Sequence, residues 1–500
     1  MAMTNRNNTK RDGFIFSTIE EIVPQDHLVR KLENCIDFRF LYPKVKQLYS
    51  EVGRPSIDPV VLFKMMLINI IFDIGSMRKT CKEIEVNLAY RWLLGIDMEE
   101  KVPNYSTWSQ NYIRRYSRSG IFEEIFDEII RQARRYDFID TETIFGDSTH
   151  QKANANKNKG HNEEVVILRK HYEDELLKEI NEDREICGKN PYDSIITKEI
   201  VFDEETGEAI EAESTKKIKV SNTDPESGNY HKGEKEKCFA YSHQTFCDKN
   251  GFVLSITTVP GNIHDSSSFF DAYKTLNDKY KDEILNICLD SGYKTPAICK
   301  AIIDNNQIPY LPYKRPMTKD GFFKKYEYIY DEDYDVYLCL NDEELSYVTT
   351  TRKGYRQYKS DPIKCETCPL LDQCTKSKNH TKLIQRHVWE GYVEQAEEIR
   401  YTTGFKEIYK QRKETIERTF GDCKENHGLR YTRLKGLQKN QDNAWLIFSC
   451  YNLKKMGLWS WKYRKNKPIF LSILDYYIEI AENMKKIASS FLEQATLSTV

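Results

Sequence analysis

Residues 239–259 read FAYSHQTFCDKNGFVLSITTV and carry the clearest fold signal of the chain. Two segments, Phe239–Gln244 and Phe252–Val259, flank the stretch Cys247–Gly251, whose Asn-Gly pair strongly favours a tight turn between antiparallel strands. The stretch is therefore predicted to form a β-hairpin.

Strand-like and helical segments alternate around this hairpin. Thr143–Asp147 and Ile284–Asp290 are short apolar runs that each end in an acid, and a helical stretch then leads to the strand-like Gln307–Tyr313. Hairpin strands followed by a strand–helix–strand alternation predict a mixed α/β sheet with helices on its faces. Because each apolar run ends in an acid, both acids are expected at the C-terminal edge of the sheet.

The chain from about residue 15 to 135 is predicted to be helical. Pro59–Leu67 follows a helix-start signal at Asp58, and Tyr112–Arg135 alternates apolar and basic residues at roughly helical spacing. Between them, Pro103–Trp108 predicts a turn and a Ser/Thr cap. This pattern fits a DNA-binding helical domain, and it fits equally a helical bundle with a solvated basic face.

Composition bounds the class of protein. A chain of 500 residues with 39% hydrophobic and 30% charged residues predicts two to three structural units with a substantial core. The formal net charge of −2 hides local contrasts. The stretch 203–213 carries six acids and no base, whereas 400–440 carries eleven bases against five acids.

The C-terminal part also mixes bases with aromatic rings. Residues 451–470 hold six bases and no acid, interleaved with Trp459, Trp461 and Tyr463. This mixture suits phosphate neutralisation with base stacking, or alternatively an aromatic helix edge against the core.

Targeting features are absent from the sequence pattern. The N-terminal residues are polar, and the longest apolar stretch, Leu62–Ile74, is too short to span a bilayer. Thirteen cysteines, an odd number, favour a reducing compartment over a disulfide framework. A cytoplasmic protein without a membrane partner is therefore expected.

Three carboxylates are candidates for metal chemistry. Asp147 and Asp290 follow strand-like runs, and Glu417 lies in a predicted helix over Lys406–Lys424. Three carboxylates on neighbouring elements are suited to holding two divalent cations for phosphoryl chemistry. The alternative to a catalytic role for Glu417 is a series of charged side chains on the helix surface, since Lys413 and Lys424 lie on the same predicted helix face.

Several motifs together resemble the DDE transposases of bacterial insertion sequences, in the insertion-sequence-four superfamily and its eleven-eighty-two group. The matching stretches run in order along most of the chain: Gly53–Phe63, Asn87–Gly95, Pro103–Trp108, Gly146–Lys157, Gly261–Ser266, Leu289–Tyr293 and Thr415–Lys424. The resemblance implies a ribonuclease-H-like fold, with Asp147, Asp290 and Glu417 as the catalytic triad that binds two Mg²⁺ or Mn²⁺ ions.

The helix signature of that superfamily is Tyr, two residues, Arg, three residues, Glu, six residues, Lys. Glu417 and Lys424 fit its last spacing, whereas Lys413 occupies the Arg position, with Arg412 one residue early and Tyr409 shifted likewise. By resemblance, DNA contacts are expected from Lys424, Lys413, Arg412, Arg418 and Trp389. The tryptophan is expected to stack on a flipped base, or alternatively to be a core residue.

Two further groups of residues are candidates. His150, His264 and Asp265 lie in motif stretches, where they are predicted to orient a catalytic water or a metal ligand, or else to form a capped turn. The four residues Cys339, Cys365, Cys368 and Cys374 have a spacing that suits structural Zn²⁺ or an iron–sulfur cluster, or else are buried free thiols.

The predicted fold class is mixed α/β: a ribonuclease-H-like catalytic core interrupted by two insertions, with an all-helical N-terminal domain and a helical C-terminal tail. The predicted boundaries are 1–135 for the helical domain that binds DNA ends, 136–317 for the first part of the core with a charged insertion at about 155–237, 318–400 for a cysteine-containing inserted subdomain, 401–455 for the last part of the core, and 456–500 for the basic, aromatic tail.

The expected activity is metal-dependent cleavage and strand transfer of double-stranded DNA at the inverted repeats of the protein's own insertion sequence, by a homodimer associated with the bacterial nucleoid. A catalytically silent DNA-binding descendant, a nuclease without strand transfer, and a cysteine-cluster regulator are the alternatives.

Overall fold

The computed structural model describes residues 16–50, 52–53, 55–166, 172–195, 199–202, 209–212, 215–232, 236–315 and 318–466. The chain divides into two compact units. The first comprises residues 1–138 and 446–500, and the second comprises residues 139–445. Much of the predicted acidic stretch 203–213 and the end of the predicted tail, 467–500, lie outside the described residues.

The described part of the first unit is helical, as the sequence predicts for residues 15–135. Its N-terminal helices are α1 Ile19–Ile22, α2 Leu28–Cys35, α3 Leu41–Val45, α4 Pro59–Ile71, α5 Met77–Val86, α6 Leu88–Leu94, α7 Tyr105–Asn111 and α8 Ile121–Arg134. Asp58 caps α4 as predicted, because its carboxylate accepts a hydrogen bond from the Val60 amide at 2.7 Å.

Two local predictions in this unit are wrong. Asn104, rather than a Ser or Thr, caps α7 and accepts a hydrogen bond from the Ser106 amide at 3.0 Å. The predicted helix Tyr112–Arg135 is broken, because a π-helical turn at Tyr112–Tyr116 ends before Gly120, whose φ of 75° is left-handed.

The second unit is built on a six-stranded mixed sheet. The first ten strands of the chain are β1 Thr143–Lys152, β2 Gly160–Val166, β3 Glu199–Phe202, β4 Ala209–Ala212, β5 Thr215–Ser221, β6 Gly228–Lys232, β7 Glu236–Cys247, β8 Val253–Pro260, β9 Asn286–Cys288 and β10 Ile308–Tyr310. The main sheet has the order β10-β9-β1-β7-β6, and β8 also pairs with β7. Strands β2 and β5 form one separate pair, and β3 and β4 form another.

Strand direction in the main sheet follows the sequence prediction. β7 and β8 form the predicted antiparallel hairpin, with Gly251 at a left-handed φ of 76° in its turn. β1 pairs antiparallel with β7 and parallel with β9, which in turn pairs parallel with β10. The helices of this region are α9 Glu173–Ile186, α10 Asp265–Tyr280 and α11 Pro296–Asp304. The last two are the crossovers that parallel strands require.

The prediction that Asp147 ends its strand is wrong. β1 continues to Lys152 and pairs with β7 over its whole second half. The polar residues beyond Asp147 remain in the sheet because buried polar partners face them, as in the contact of 3.2 Å between His243 Nε2 and Gln151 Oε1.

A second, five-stranded antiparallel sheet lies within residues 318–400. It has the order β11-β12-β13-β14-β15, with bounds β11 Ile329–Asp331, β12 Val336–Leu338, β13 Glu344–Thr350, β14 Tyr355–Ser360 and β15 Leu383–His387. The neighbouring helices are α12 Pro362–Glu366, α13 Leu371–Cys374 and α14 Glu390–Glu398. Its core is small and consists of Tyr328, Tyr337, Leu345, Tyr358 and Ile384.

The chain then returns to helix, as predicted. The remaining helices are α15 Phe405–Gln411, α16 Arg418–Asn426 and α17 Leu437–Asn466, with a π-helical turn at Lys413–Glu417 between the first two. No helix break falls at the boundary predicted between residues 455 and 456, because α17 runs through it. Among the helices that the structure describes, none is both long and apolar enough to cross a membrane.

Candidate active site

The parallel pairing of β1 and β9 brings two predicted acids side by side. Phe145 pairs with Cys288 at the end of β9. Asp147 and Asp290 each lie two residues further along these parallel chains, so the two carboxylates reach the same level of the sheet. Asp290 lies just beyond the end of β9 and caps the following turn, where its carboxylate accepts a hydrogen bond from the Ser291 amide at 2.6 Å.

The third acid is placed by an irregular helix. Glu417 ends the π-helical turn, and its amide bonds to the carbonyl of Arg412, five residues earlier, at 3.3 Å. A π turn inserts one extra residue into a helix, and such turns are frequent at functional sites. Arg412, rather than Lys413, therefore lies one turn before Glu417 and on its face.

One guanidinium joins all three carboxylates. Arg412 forms an ion pair with Asp147, and its Nη1 lies 4.0 Å from Asp290 Oδ1 and 3.6 Å from Glu417 Oε1. The Arg412 side chain is only 8% exposed. Its Nε is buried and has no hydrogen-bond partner among the described residues. The three acids of the predicted triad thus converge on a single buried cation.

The charges of this site shift its proton equilibria. Burial raises the pKa of Asp147 to about 6, although the positive charge of Arg412 acts in the opposite direction. Burial disfavours the charged form of Arg412, but the carboxylates of Asp147 and Asp290 outweigh it, so the pKa of the guanidinium is raised. The three carboxylates therefore make the site strongly negative, and the permanent positive charge of Arg412 offsets part of that charge.

A network of hydrogen bonds between polar side chains surrounds Asp147. The hydroxyl of Ser148 donates to Asp265 at 2.6 Å, and the side-chain amide of Gln244 donates to the Asp147 carbonyl at 3.4 Å. Tyr293 donates its hydroxyl to Gln244 Oε1 at 2.8 Å. Sequence reasoning missed the role of Gln244, although its position as a polar residue in a predicted buried strand is the signal that could have identified it.

The other candidates near the acids line an open groove. This groove, of about 440 Å³, is lined by His150, His264 and Asp265 and also by the bases Lys217 and Lys219, and is called the His150 groove below. The His150 ring stacks on Tyr230 with centroids 3.8 Å apart. His264 caps α10, since its Nδ1 accepts from the Ser266 amide at 3.2 Å. Asp265 connects the groove to the acids through Ser148.

The basic residues predicted to contact DNA have different environments. Arg418 is exposed and Lys424 is half-buried, both on α16. Lys413 is exposed, and the prediction that it shares the face of Glu417 is wrong, because the π turn gives that place to Arg412.

The prediction that Trp389 stacks on a flipped base is also corrected. The ring is only 2% exposed and packs with Leu176, Ile180 and Ala297 in a hydrophobic cluster. Its Nε1 is buried and has no hydrogen-bond partner among the described residues. A ring in this position is a core residue, which is the alternative that the sequence left open.

The four cysteines predicted to bind a metal lie together, apart from the acids. Cys339, Cys365, Cys368 and Cys374 line one cavity of about 30 Å³ beside the five-stranded sheet. All thirteen cysteines of the chain lie in the described ranges, and none forms a disulfide. Across the described residues, no three His, Cys, Asp or Glu side chains are already arranged to hold a metal ion.

The three acids nevertheless fit divalent cations by their chemistry. Carboxylate oxygens are the hard ligands that Mg²⁺ and Mn²⁺ prefer. All three approach a single cationic group, Arg412, so they already surround one centre of positive charge. Asp147, Asp290 and Glu417 are therefore the residues that would hold such ions.

Comparisons with known families agree with this site. A transposase domain family (DUF772) matches residues 17–114, which span helices α1–α7 and the residues just beyond them. A transposase DDE domain family matches residues 338–457, which include Glu417 and all four clustered cysteines. No curated protein matches the chain in sequence. These two matches, together with the convergent acids, support a DDE transposase of the bacterial insertion-sequence type.

Proposed function

We propose that this protein is a DDE transposase that binds the terminal inverted repeats of its own insertion sequence and catalyses metal-dependent DNA cleavage and strand transfer. One observation carries the proposal: Asp147, Asp290 and Glu417, from three separate elements, converge on the buried guanidinium of Arg412. Such an arrangement of acids has no evident structural use, because like charges repel and their pairing with one arginine stabilises only part of the charge.

The metal requirement follows from the charge of the site. Two Mg²⁺ or Mn²⁺ ions, held by Asp147, Asp290 and Glu417, would supply activation of the attacking oxygen and stabilisation of the leaving oxygen. Arg412 lies among these acids and is a buried base in contact with all three. We expect it to keep the acids together and to offer its guanidinium to a phosphate beside the reacting bond.

The proposed fold of the catalytic unit is a ribonuclease-H-like core. The mixed sheet, with two acids at matching levels of parallel strands and a third on a helix, supports this assignment. The stretch 155–237 and the five-stranded sheet within 318–400 are then two insertions into that core. The assignment to the eleven-eighty-two group of the insertion-sequence-four superfamily belongs to the same proposal.

The His150 groove is the proposed path of a DNA strand toward the acids. It combines the bases Lys217 and Lys219 with the stacked rings of His150 and Tyr230, and Asp265 joins it to Ser148 beside Asp147. Bases neutralise phosphates and aromatic rings offer stacking surfaces. On α16, Arg418 and Lys424 are proposed as further phosphate contacts.

The remaining parts of the chain have supporting roles in this proposal. The N-terminal helical unit recognises the element ends, and a homodimer brings two ends together before strand transfer. The reaction takes place in the bacterial cytoplasm, on nucleoid DNA.

The proposal is tested by incubating the full-length protein with labelled DNA that ends in the inverted repeat flanking its gene, in Mn²⁺, Mg²⁺ or EDTA. Cleavage at the repeat end and joining of the freed 3′ end to a target plasmid, both only with metal, are the expected results. Cleavage without joining would favour a ribonuclease-H-like nuclease. Binding of the repeat without cleavage would favour a silent DNA-binding descendant.

A further inference from the structure

We propose that Cys339, Cys365, Cys368 and Cys374 bind one structural zinc ion in the five-stranded subdomain, separate from the catalytic acids. The four residues come from three places in the chain. Cys339 directly follows β12, Cys365 and Cys368 lie in and just after α12, and Cys374 ends α13. They include every cysteine between residues 318 and 400, and all four line the same cavity.

The cavity between the cysteines is small: its volume is about 30 Å³, against the roughly 10–15 Å³ that one buried water needs. A single Zn²⁺ ion, with Zn–S bonds of about 2.3 Å, suits a site of this scale. A four-iron, four-sulfide cluster adds eight atoms between the thiolates and needs more room than a single ion.

The subdomain has a physical need for such an ion. Its core contains only five buried side chains, and Cys339 and Cys374 pack directly against that core. Small structural units with so little apolar burial are commonly stabilised by a metal or by disulfides. Since all four cysteines are free thiols, a metal is the cross-link that this region has available.

The cavity is lined by two bases, Lys364 and Lys382, and two acids, Glu343 and Asp361. Lys364 is paired with Glu343 at 2.7 Å, whereas the Lys382 ammonium donates to the Cys374 carbonyl at 2.8 Å. A zinc ion with four thiolates carries a net charge of −2, and Lys382 is the base placed to offset part of it. Burial raises the pKa of the Cys374 thiol, and both the Tyr328 hydroxyl and Lys382 act in the opposite direction.

Zinc binding requires the thiols to rearrange. Cys365 Sγ lies 3.2 Å from the Ser360 hydroxyl, and Cys374 Sγ lies 3.2 Å from the Tyr328 hydroxyl. These contacts hold the sulfurs at the cavity wall, in agreement with the absence of a ready-made metal geometry among the described residues. On binding, the four thiols lose four protons to water and form four Zn–S bonds, with no change in oxidation state.

The first test is elemental analysis of the purified full-length protein. We expect about one zinc per chain, with neither iron nor acid-labile sulfide. Cys365→Ser and Cys374→Ser are each expected to lower the zinc content severalfold, whereas Cys187→Ser, a half-buried cysteine outside the cavity, retains it. Zinc far below one per chain in the wild type, iron with sulfide, or full zinc in both cluster variants would overturn the proposal.

A second measurement does not depend on whether the cysteine variants fold. Wild-type protein, stripped of metal with a chelator, is titrated with Co²⁺ and followed by absorption. Four thiolate ligands predict strong sulfur-to-cobalt charge-transfer bands and tetrahedral d–d bands that saturate at one Co²⁺ per chain. Saturation without thiolate bands would overturn the site. Neither readout involves DNA cleavage, so this inference and the proposed function fail independently.

Discussion

Arg412 is the residue on which the geometry of the metal-free site depends. It is buried, and it contacts Asp147, Asp290 and Glu417, whose mutual repulsion it offsets. A divalent cation brings the same kind of charge to the same acids. Arg412 and bound metal therefore stabilise the site by the same electrostatic means, and the loss of one should increase the effect of the other.

Arg412→Gln is expected to destabilise the metal-free protein by about 1–3 kcal/mol, since breaking a buried ion pair costs several kcal/mol and Asp147 keeps partial access to water. Thermal unfolding in EDTA and in Mn²⁺ measures the effect, with Mn²⁺ stabilising the variant more than the wild type. Arg418→Gln, an exposed base on the neighbouring helix, is the control. Equal stability of the two variants in EDTA would contradict this role.

The pKa of Asp147 predicts how pH controls metal binding. Because burial raises this pKa to about 6, the folded carboxyl is largely protonated at pH 5 and ionised at pH 7.5. A proton and a metal ion compete for the same oxygens, so Mn²⁺ affinity should fall by about tenfold for each pH unit below 6. Titration calorimetry at several pH values measures this dependence.

The matched variant for this prediction is Asp147→Asn, which has no proton to lose at that position. Its Mn²⁺ affinity should be weak and should change little between pH 5 and pH 7.5. A wild-type affinity that is constant over that range would show that Asp147 is ionised throughout.

At the scale of single elements, the π turn at Lys413–Glu417 explains the spacing of the helix signature. The family pattern separates its Arg and Glu by three residues, whereas Arg412 and Glu417 are separated by four. The bond from the Glu417 amide to the Arg412 carbonyl absorbs the extra residue. Tyr409 and Arg412 keep the spacing that the family pattern gives them. Both therefore lie one residue further from Glu417 than the pattern predicts.

Deletion of the exposed residue Glu414 is therefore expected to convert the π turn into regular helix while Arg412 and Glu417 keep a common face. The deletion variant should unfold within a few degrees of the wild type and cleave DNA within about tenfold of its rate. Insertion of an alanine after Glu414 should abolish cleavage, because it rotates Arg412 away from the acids. Loss of cleavage in both variants would show that the turn itself is required.

For the whole molecule, a net charge of −2 is compatible with the proposed DNA binding because the bases are concentrated locally. Lys217 and Lys219 line the His150 groove, which adjoins the acids through Asp265 and Ser148. We expect Lys217 and Lys219 to neutralise phosphates of the DNA strand that enters the site. The net charge of the whole chain has little influence there.

Replacing both lysines, Lys217→Gln with Lys219→Gln, should weaken DNA binding and reduce the slope of log affinity against log salt by about 2, one for each phosphate contact. Binding measured by fluorescence anisotropy between about 50 and 200 mM salt gives the slope. Lys249→Gln, in the turn of the β7–β8 hairpin, should leave it unchanged. An unaltered slope in the double variant would place the DNA elsewhere.

The sequence predicted the helices within residues 16–135, the β7–β8 hairpin and a mixed sheet, because each depends on local signals. It did not predict that β1 continues beyond Asp147, since polar residues there are buried only by pairing with partners such as His243. It left open whether Trp389 stacks on a base or lies in the core, and it did not predict the π turn before Glu417. Both depend on packing between elements far apart in sequence, which periodicity does not record.

The proposal that Asp147, Asp290 and Glu417 form the active site is tested by the cleavage of inverted-repeat DNA with Mn²⁺. The two variants to compare are Asp147→Asn and Asp278→Asn, which changes an exposed acid on α10. Asp147→Asn is expected to bind the DNA as tightly as the wild type but to cleave it at least a hundredfold more slowly, whereas Asp278→Asn is expected to cleave normally. Cleavage by Asp147→Asn at the wild-type rate would contradict the account and place the active site away from these three acids.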